Sequence, residues 1–254
     1  KILKLTLSAI MQFMECPCKQ FASLVENKLK NNLNVVRMDG KVMALTSLHF
    51  NQELLFLQVF SKRYSNFLPA VYGACGRVIV VEYVGASLSS TLNRPWQERV
   101  KLSIKLIEMA RSFTRTDDNM ALYMYDVVMD NFAVDKHGNV KLIDCEHVLI
   151  ADTSAFNHSY VTKTKDFCAA DHFECITFAP QDLCQGEAQD HNFYAICRNI
   201  LLAVGGSKGL LHSPPDGEMK STLKYLLNNC VYSKNTSRER AVDQLEKQLY
   251  RYIR

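Results

Sequence analysis

The stretch from Tyr123 to Glu146 constrains this chain more than any other. Asp126 and Asn131 stand five residues apart, directly downstream of a long amphipathic segment. Two short apolar runs follow, Phe132-Ala133-Val134 and Val140-Lys141-Leu142-Ile143, separated by the polar Asp135-Lys136-His137-Gly138-Asn139. Strand, polar turn and strand predict a hairpin whose second strand delivers Asp144. A hairpin is stiff, so it can hold two carboxylates and an amide on one face, where loops alone would leave them loose. Such an all-oxygen set suits a hard divalent cation.

The flanking segments predict an α+β chain. Residues 1–7 read as a strand, and residues 8–30 and 41–60 carry apolar positions at helical spacing. Pro17 interrupts the first of these, giving one kinked helix or two short ones. A hairpin is expected over 70–83, with Val78-Ile79-Val80-Val81 so continuously apolar that both its faces should be buried. Pro95 suits the first turn of a helix over 95–114. The chain reads as irregular from 151 to 189, then helical over 190–203, 219–229 and 239–252. With 48% hydrophobic and 22% charged residues, the chain has ample side chain for a core.

This order resembles a protein kinase, which places a catalytic loop with Asp and Asn five apart before a hairpin that ends in a metal-binding Asp. The expected fold is a two-lobe, protein-kinase-like α+β fold. Residues 1–84 would form a partial N-terminal lobe whose glycine-rich-loop strands precede residue 1, and 85–254 a mostly helical C-terminal lobe. Asp126 is then the candidate base, with Asn131 and Asp144 as metal ligands. Lys4 is the candidate clamp on the nucleotide phosphates, with Glu15 or Glu26 as its helix partner. Glu82, in Val81-Glu82-Tyr83-Val84-Gly85, falls where a hinge backbone meets adenine. Asp190 either ties down the catalytic-loop backbone or caps the next helix. The implied cofactors are ATP and Mg²⁺ or Mn²⁺.

The departures from that pattern are specific. Met124-Tyr125 replaces the His-Arg pair before the catalytic Asp. Cys145-Glu146 replaces Phe-Gly, adding a carboxylate that would take a second cation or favour Mn²⁺. The nearest match to an Ala-Pro-Glu anchor is Phe178-Ala179-Pro180.

The net charge of +4 includes no basic block, so nucleic acid is not an expected partner. No apolar run approaches the roughly 18 residues of a membrane span. The opening Lys1-Ile2-Leu3-Lys4 reads as a strand already under way, so an upstream targeting signal is left open. Nine cysteines without a C-x-x-C pair, together with the sequons Asn157-His158-Ser159 and Asn235-Thr236-Ser237, point to an oxidising compartment.

Several further motifs carry a closer resemblance. Tyr72-Gly73-Ala74-Cys75-Gly76-Arg77, Pro95-Trp96-Gln97-Glu98-Arg99-Val100, Asp130-Asn131-Phe132-Ala133-Val134, Asp190-His191-Asn192-Phe193-Tyr194-Ala195-Ile196-Cys197 and Leu210-Leu211-His212-Ser213-Pro214-Pro215 are similar to the deleted-in-autism-1 family, also called divergent protein kinase domain 2. The likeness is strongest from about 67 to 230. It implies a protein-kinase-like fold, passage through the Golgi, secretion and a role in paracrine growth or survival signalling. It also implies disulfides among residues 168–230, which would stand in for the missing anchor. Three functions follow as expectations: ATP-dependent phosphoryl transfer to a hydroxyl of a protein substrate, a secreted pseudokinase that binds a cell-surface receptor, or a kinase of small molecules or sugars.

Overall fold

A computed structural model describes residues 10–12, 14, 16–32, 51–75, 78–156, 180–202, 207–233 and 237–253. The expected strand with Lys4, the candidate Glu15, the Asn157 sequon, Asn235-Thr236, Cys168, Cys175, Phe178-Ala179 and residues 41–50 lie outside them.

The architecture is α+β. Helix α1 (Lys19–Asn32) begins just after Pro17, and α2 is Glu53–Phe60. Strands β1 (Val71–Cys75) and β2 (Val78–Val81) pair antiparallel. A two-residue strand β3 (Ala86–Ser87) and a short 3₁₀ turn lead to α3 (Trp96–Thr114). Pro95 takes the N-cap position of α3, where its missing N–H costs nothing. The apolar stripe of α3, including Val100, Ile104, Ile107 and Phe113, is buried. Strand β4 (Met120–Met124), the predicted hairpin β5 (Phe132–Val134) and β6 (Val140–Leu142), and β7 (Val148–Asp152) follow. The remaining helices are α4 (Pro180–Cys184), α5 (His191–Ala195), α6 (Gly217–Tyr232) and α7 (Arg238–Tyr252). The helix expected over 190–203 is divided, since α5 passes into a π-helical turn at Ile196–Leu202. Among the described residues no helix is long and apolar enough to cross a membrane.

Two findings differ from the sequence reading. β2 is not buried on both faces: Val78 is 63% and Val80 52% exposed. A continuous apolar run records affinity for a core, and here no layer of the described residues covers the β1–β2 ribbon. The second is β4 pairing antiparallel with β7 from Met120↔Asp152 to Met124↔Val148. Neither strand alternates apolar with polar residues, because β4 is buried throughout and β7 up to Ala151. Period-2 reasoning has nothing to detect in such strands.

One large apolar cluster runs from Ile10 and Phe21 through α2 and α3 to Leu249. A smaller one, with Tyr123, Leu149 and Leu183, lies on the other face of the β4–β7 ladder. Among the described residues two disulfides close the structure, Cys16–Cys184 and Cys197–Cys230. The second falls within the expected span, whereas the first reaches outside it to the segment before α1.

Candidate functional site

The open end of the β5–β6 hairpin faces the end of the β4–β7 ladder, and Asp126, Asn131 and Asp144 meet there. β4 runs out at Met124, and the Tyr125 N–H still donates to His147 O at 3.2 Å, holding the start of the loop against the segment after Asp144. A 3₁₀ turn at Met129–Asn131 then reverses the chain into β5. Asn131 is fixed at both ends. Its carbonyl accepts from Ile143 N at 2.9 Å, and its Nδ2 donates to Asp126 O and to Asp126 Oδ2, both at 3.0 Å. Asp126, Asn131 and Asp144 thereby line one cleft with His147. Asp126 and Asp144 are exposed to solvent.

The acidic surroundings extend to a residue absent from the sequence reading. Glu53, at the start of α2, accepts a hydrogen bond from Cys145 N at 3.3 Å. Burial raises its carboxyl above the usual range, and the nearby charges of Asp144 and Glu146 add to the rise. Glu53 opens an apolar helix, a signal compatible with an ordinary N-terminal charge, so only the fold brings it to the site. Glu26, the described candidate partner for Lys4, lies on α1. The carboxylate of Glu146 is engaged by Asn51 Nδ2 at 3.0 Å and faces His147 Nε2 at 3.3 Å. Burial pushes the Cys145 thiol well up, and the nearby charges of Glu53 and Asp144 add to the rise.

At Glu82 the backbone N–H donates to Ala70 O at 2.8 Å, so a ligand can be met there only by the carbonyl. The side chain pairs with Lys141 Nζ at 2.8 Å and accepts from Ala70 N. Lys141 is the main reason that the Glu82 carboxyl lies below its ordinary range. The pair clamps the segment after β2 onto β6. Downstream, Gly85 (φ +153°) passes so close to β5 that a Cβ would sit 2.1 Å from Val134 O.

Asp190 takes the N-cap position of α5, one of its two expected roles, through its backbone rather than its side chain. It makes no side-chain cap hydrogen bond, and its Oδ1 lies 2.6 Å from the buried Arg238 Nη1. The contact is an ion pair, not an aligned hydrogen bond. The next two residues anchor β4 instead. Asn192 Oδ1 accepts from Met124 N at 2.8 Å, while its Nδ2 donates to Leu122 O and Thr114 Oγ1. His191 Nε2 donates to Met124 O at 3.0 Å, and Asn199 Nδ2 to Val127 O at 3.1 Å. Adjacent helical residues point about 100° apart, so the motif Asp190-His191-Asn192 could not reveal which of them faces β4.

Burial lowers the His191 imidazole to about 4, with the Arg238 charge adding to the effect, so it is neutral at pH 7. The unfolded chain, with a pKa near 6.5, binds this proton first. The stabilisation is complete above about pH 6.5 and is lost as pH falls towards 4, by up to about 3 kcal/mol. A His191→Gln variant, whose amide nitrogen can still reach Met124 O, is expected to show a shallower fall in Tm between pH 7 and 4.5. Parallel Tm–pH curves would refute this.

The family model describing the protein-kinase domain of FAM69 matches residues 45–233. Divergent protein kinase domain 2A of Homo sapiens is 37% identical over 227 residues, covering 84% of this chain and 51% of that protein. The proteins of the same description from Xenopus tropicalis and Mus musculus are each 38% identical over 208 residues, covering 76% of this chain and 48% of theirs. The chain thus spans about half the length of the curated relatives it matches.

Proposed function

This chain belongs to the FAM69 protein-kinase-domain family, and we propose that it moves the γ-phosphate of ATP to a hydroxyl group. The observation that carries the reading is the shared cleft of Asp126, Asn131 and Asp144. Asp126 orients the acceptor hydroxyl and takes its proton as the oxygen bonds to phosphorus and ADP leaves. The donor set fits Mg²⁺ or Mn²⁺. Among the described residues no three His, Cys, Asp or Glu side chains could hold a metal by themselves. Asn131 and Asp144 supply the one or two oxygen ligands such an ion uses when phosphates and waters complete its shell. The bound ion would neutralise phosphate charge. Lys4 is the proposed phosphate clamp.

The two disulfides support maturation in the secretory pathway, with passage through the Golgi and release as a paracrine factor. The replacement of Phe-Gly by Cys145-Glu146 after Asp144 favours a second reading, a secreted pseudokinase that acts as a ligand for a cell-surface receptor.

Thermal denaturation of the complete protein with ATP and MnCl₂ separates the two. Ligand at 100 times its Kd stabilises the fold by about 2.7 kcal/mol, a rise in Tm of roughly 5–10 °C. Asp144→Asn is expected to abolish the rise while leaving the unliganded Tm near that of the parent. A variant that responds as fully as the parent removes Asp144 from the site. A parent that does not respond at all favours the pseudokinase.

A further inference from the structure

A larger cavity, of about 560 Å³, opens at the turn end of the β5–β6 hairpin. Strand β5 is three residues long, so roughly 10 Å of strand separates the cavity from the catalytic cleft at the hairpin's other end. Three elements far apart in sequence enclose it: the first half of α3, the turn 135–139 and the end of α7. Its volume falls in the range of pockets that hold small molecules. The buried Leu102 and Ile104, with Ile253 and the Tyr250 ring, supply apolar wall.

The polar groups are unevenly satisfied. Asp135 is consumed by its own turn, accepting from His137 N, Asn139 N and Asn139 Nδ2, each at 2.8 Å. Glu108 is taken by Lys105 Nζ at 2.9 Å and the Tyr250 hydroxyl at 3.3 Å. Glu98 faces Arg94 at 3.8 Å. Lys101 and Lys136 also line the cavity, and neither has a hydrogen bond or ion pair among the described residues. The acceptors are therefore engaged while two ammonium donors are not.

We infer that this cavity is a second ligand site, for a small molecule with an anionic phosphate or sulfate group on an apolar body. The anion lies between Lys101 and Lys136, and the apolar body rests on Leu102, Ile253 and the Tyr250 ring. A charged oxyanion matches compact, strongly hydrated ammonium groups, and a neutral ligand would leave them unpaired.

Isothermal titration of the complete protein with 1-naphthyl phosphate tests this. Saturable binding is expected, weakened at least tenfold by Lys101→Glu combined with Lys136→Glu. Uncharged 1-naphthol should bind at least tenfold more weakly than the phosphate. Binding should persist in Asp126→Asn, so the outcome is independent of the phosphotransfer reading. Both lysines are exposed, and an unchanged Tm verifies that the double variant is folded. Absence of saturable binding by the parent, or equal binding by the double variant, overturns the proposal. So does loss of binding in Asp126→Asn.

Discussion

Replacing Arg238 with Ala is expected to lower the unfolding free energy by about 4 kcal/mol, and Tm by roughly 8–16 °C. Arg238 is the first residue of α7 and only 1% exposed. Its Nε donates to Cys230 O at 2.6 Å and its Nη2 to Val231 O at 3.1 Å, capping carbonyls at the end of α6. Its positive charge also opposes the negative end of that helix. Nη1 pairs with Asp190, and the guanidinium lies over the Tyr194 ring at 5.1 Å. Truncation leaves a largely buried carboxylate without its partner and orphans two carbonyls, and unpaired buried groups cost more than the contacts themselves contribute. Arg238→Lys keeps a charge but not the planar fork, so its loss should be intermediate. Urea denaturation of parent and variants provides the test. A loss below about 1 kcal/mol for the Ala variant would show that the guanidinium does not join α6, α7 and α5 as described.

The second large effect concerns the disulfide that ties the segment before α1 to α4. Cys16 and Cys184 are 168 residues apart in sequence, whereas Cys197 and Cys230 are separated by 33. If a crosslink acts mainly by restricting the unfolded chain, the longer loop contributes about 5 kcal/mol and the shorter about 4. Replacing Cys16 and Cys184 together by Ser is therefore expected to cost about 3–5 kcal/mol, and slightly more than replacing Cys197 and Cys230. The Cys16–Cys184 bond also borders the smaller apolar cluster, where Leu183 meets Tyr123 and Leu149 behind the catalytic-loop strand. Its loss should loosen α4 against β7 first, read as faster amide exchange there. Urea midpoints that are unchanged in the Ser variants, and insensitive to dithiothreitol in the parent, would sink this expectation.

The hairpin that carries Asn131 and Asp144 was legible because its determinants are local. Short apolar runs, a turn acid and a glycine at φ +81° decide it within a dozen residues. Helix α3 was legible for the same reason, since its stripe repeats at one period over five turns. The strands β4 and β7 were not, because a strand buried on both faces carries no alternation. Val78–Val81 misled in the opposite direction, since apolar character cannot count the layers that cover a strand. Glu53 and Asn192 escaped notice because each acts on a backbone amide distant in sequence.

The sequence by itself determined the family, the β5–β6 hairpin, helix α3 and the spacing of Asp126, Asn131 and Asp144 along the chain. Only the tertiary structure decided that Asn192 and His191, not Asp190, hold β4, that Glu53 stands beside Asp144, and that Cys16 pairs with Cys184. The physical reason is range. Periodicity, turn chemistry and residue spacing act between near neighbours and are written along the chain. Which face a helix turns inward, and which buried donor meets which acceptor, depends on packing the whole core at once.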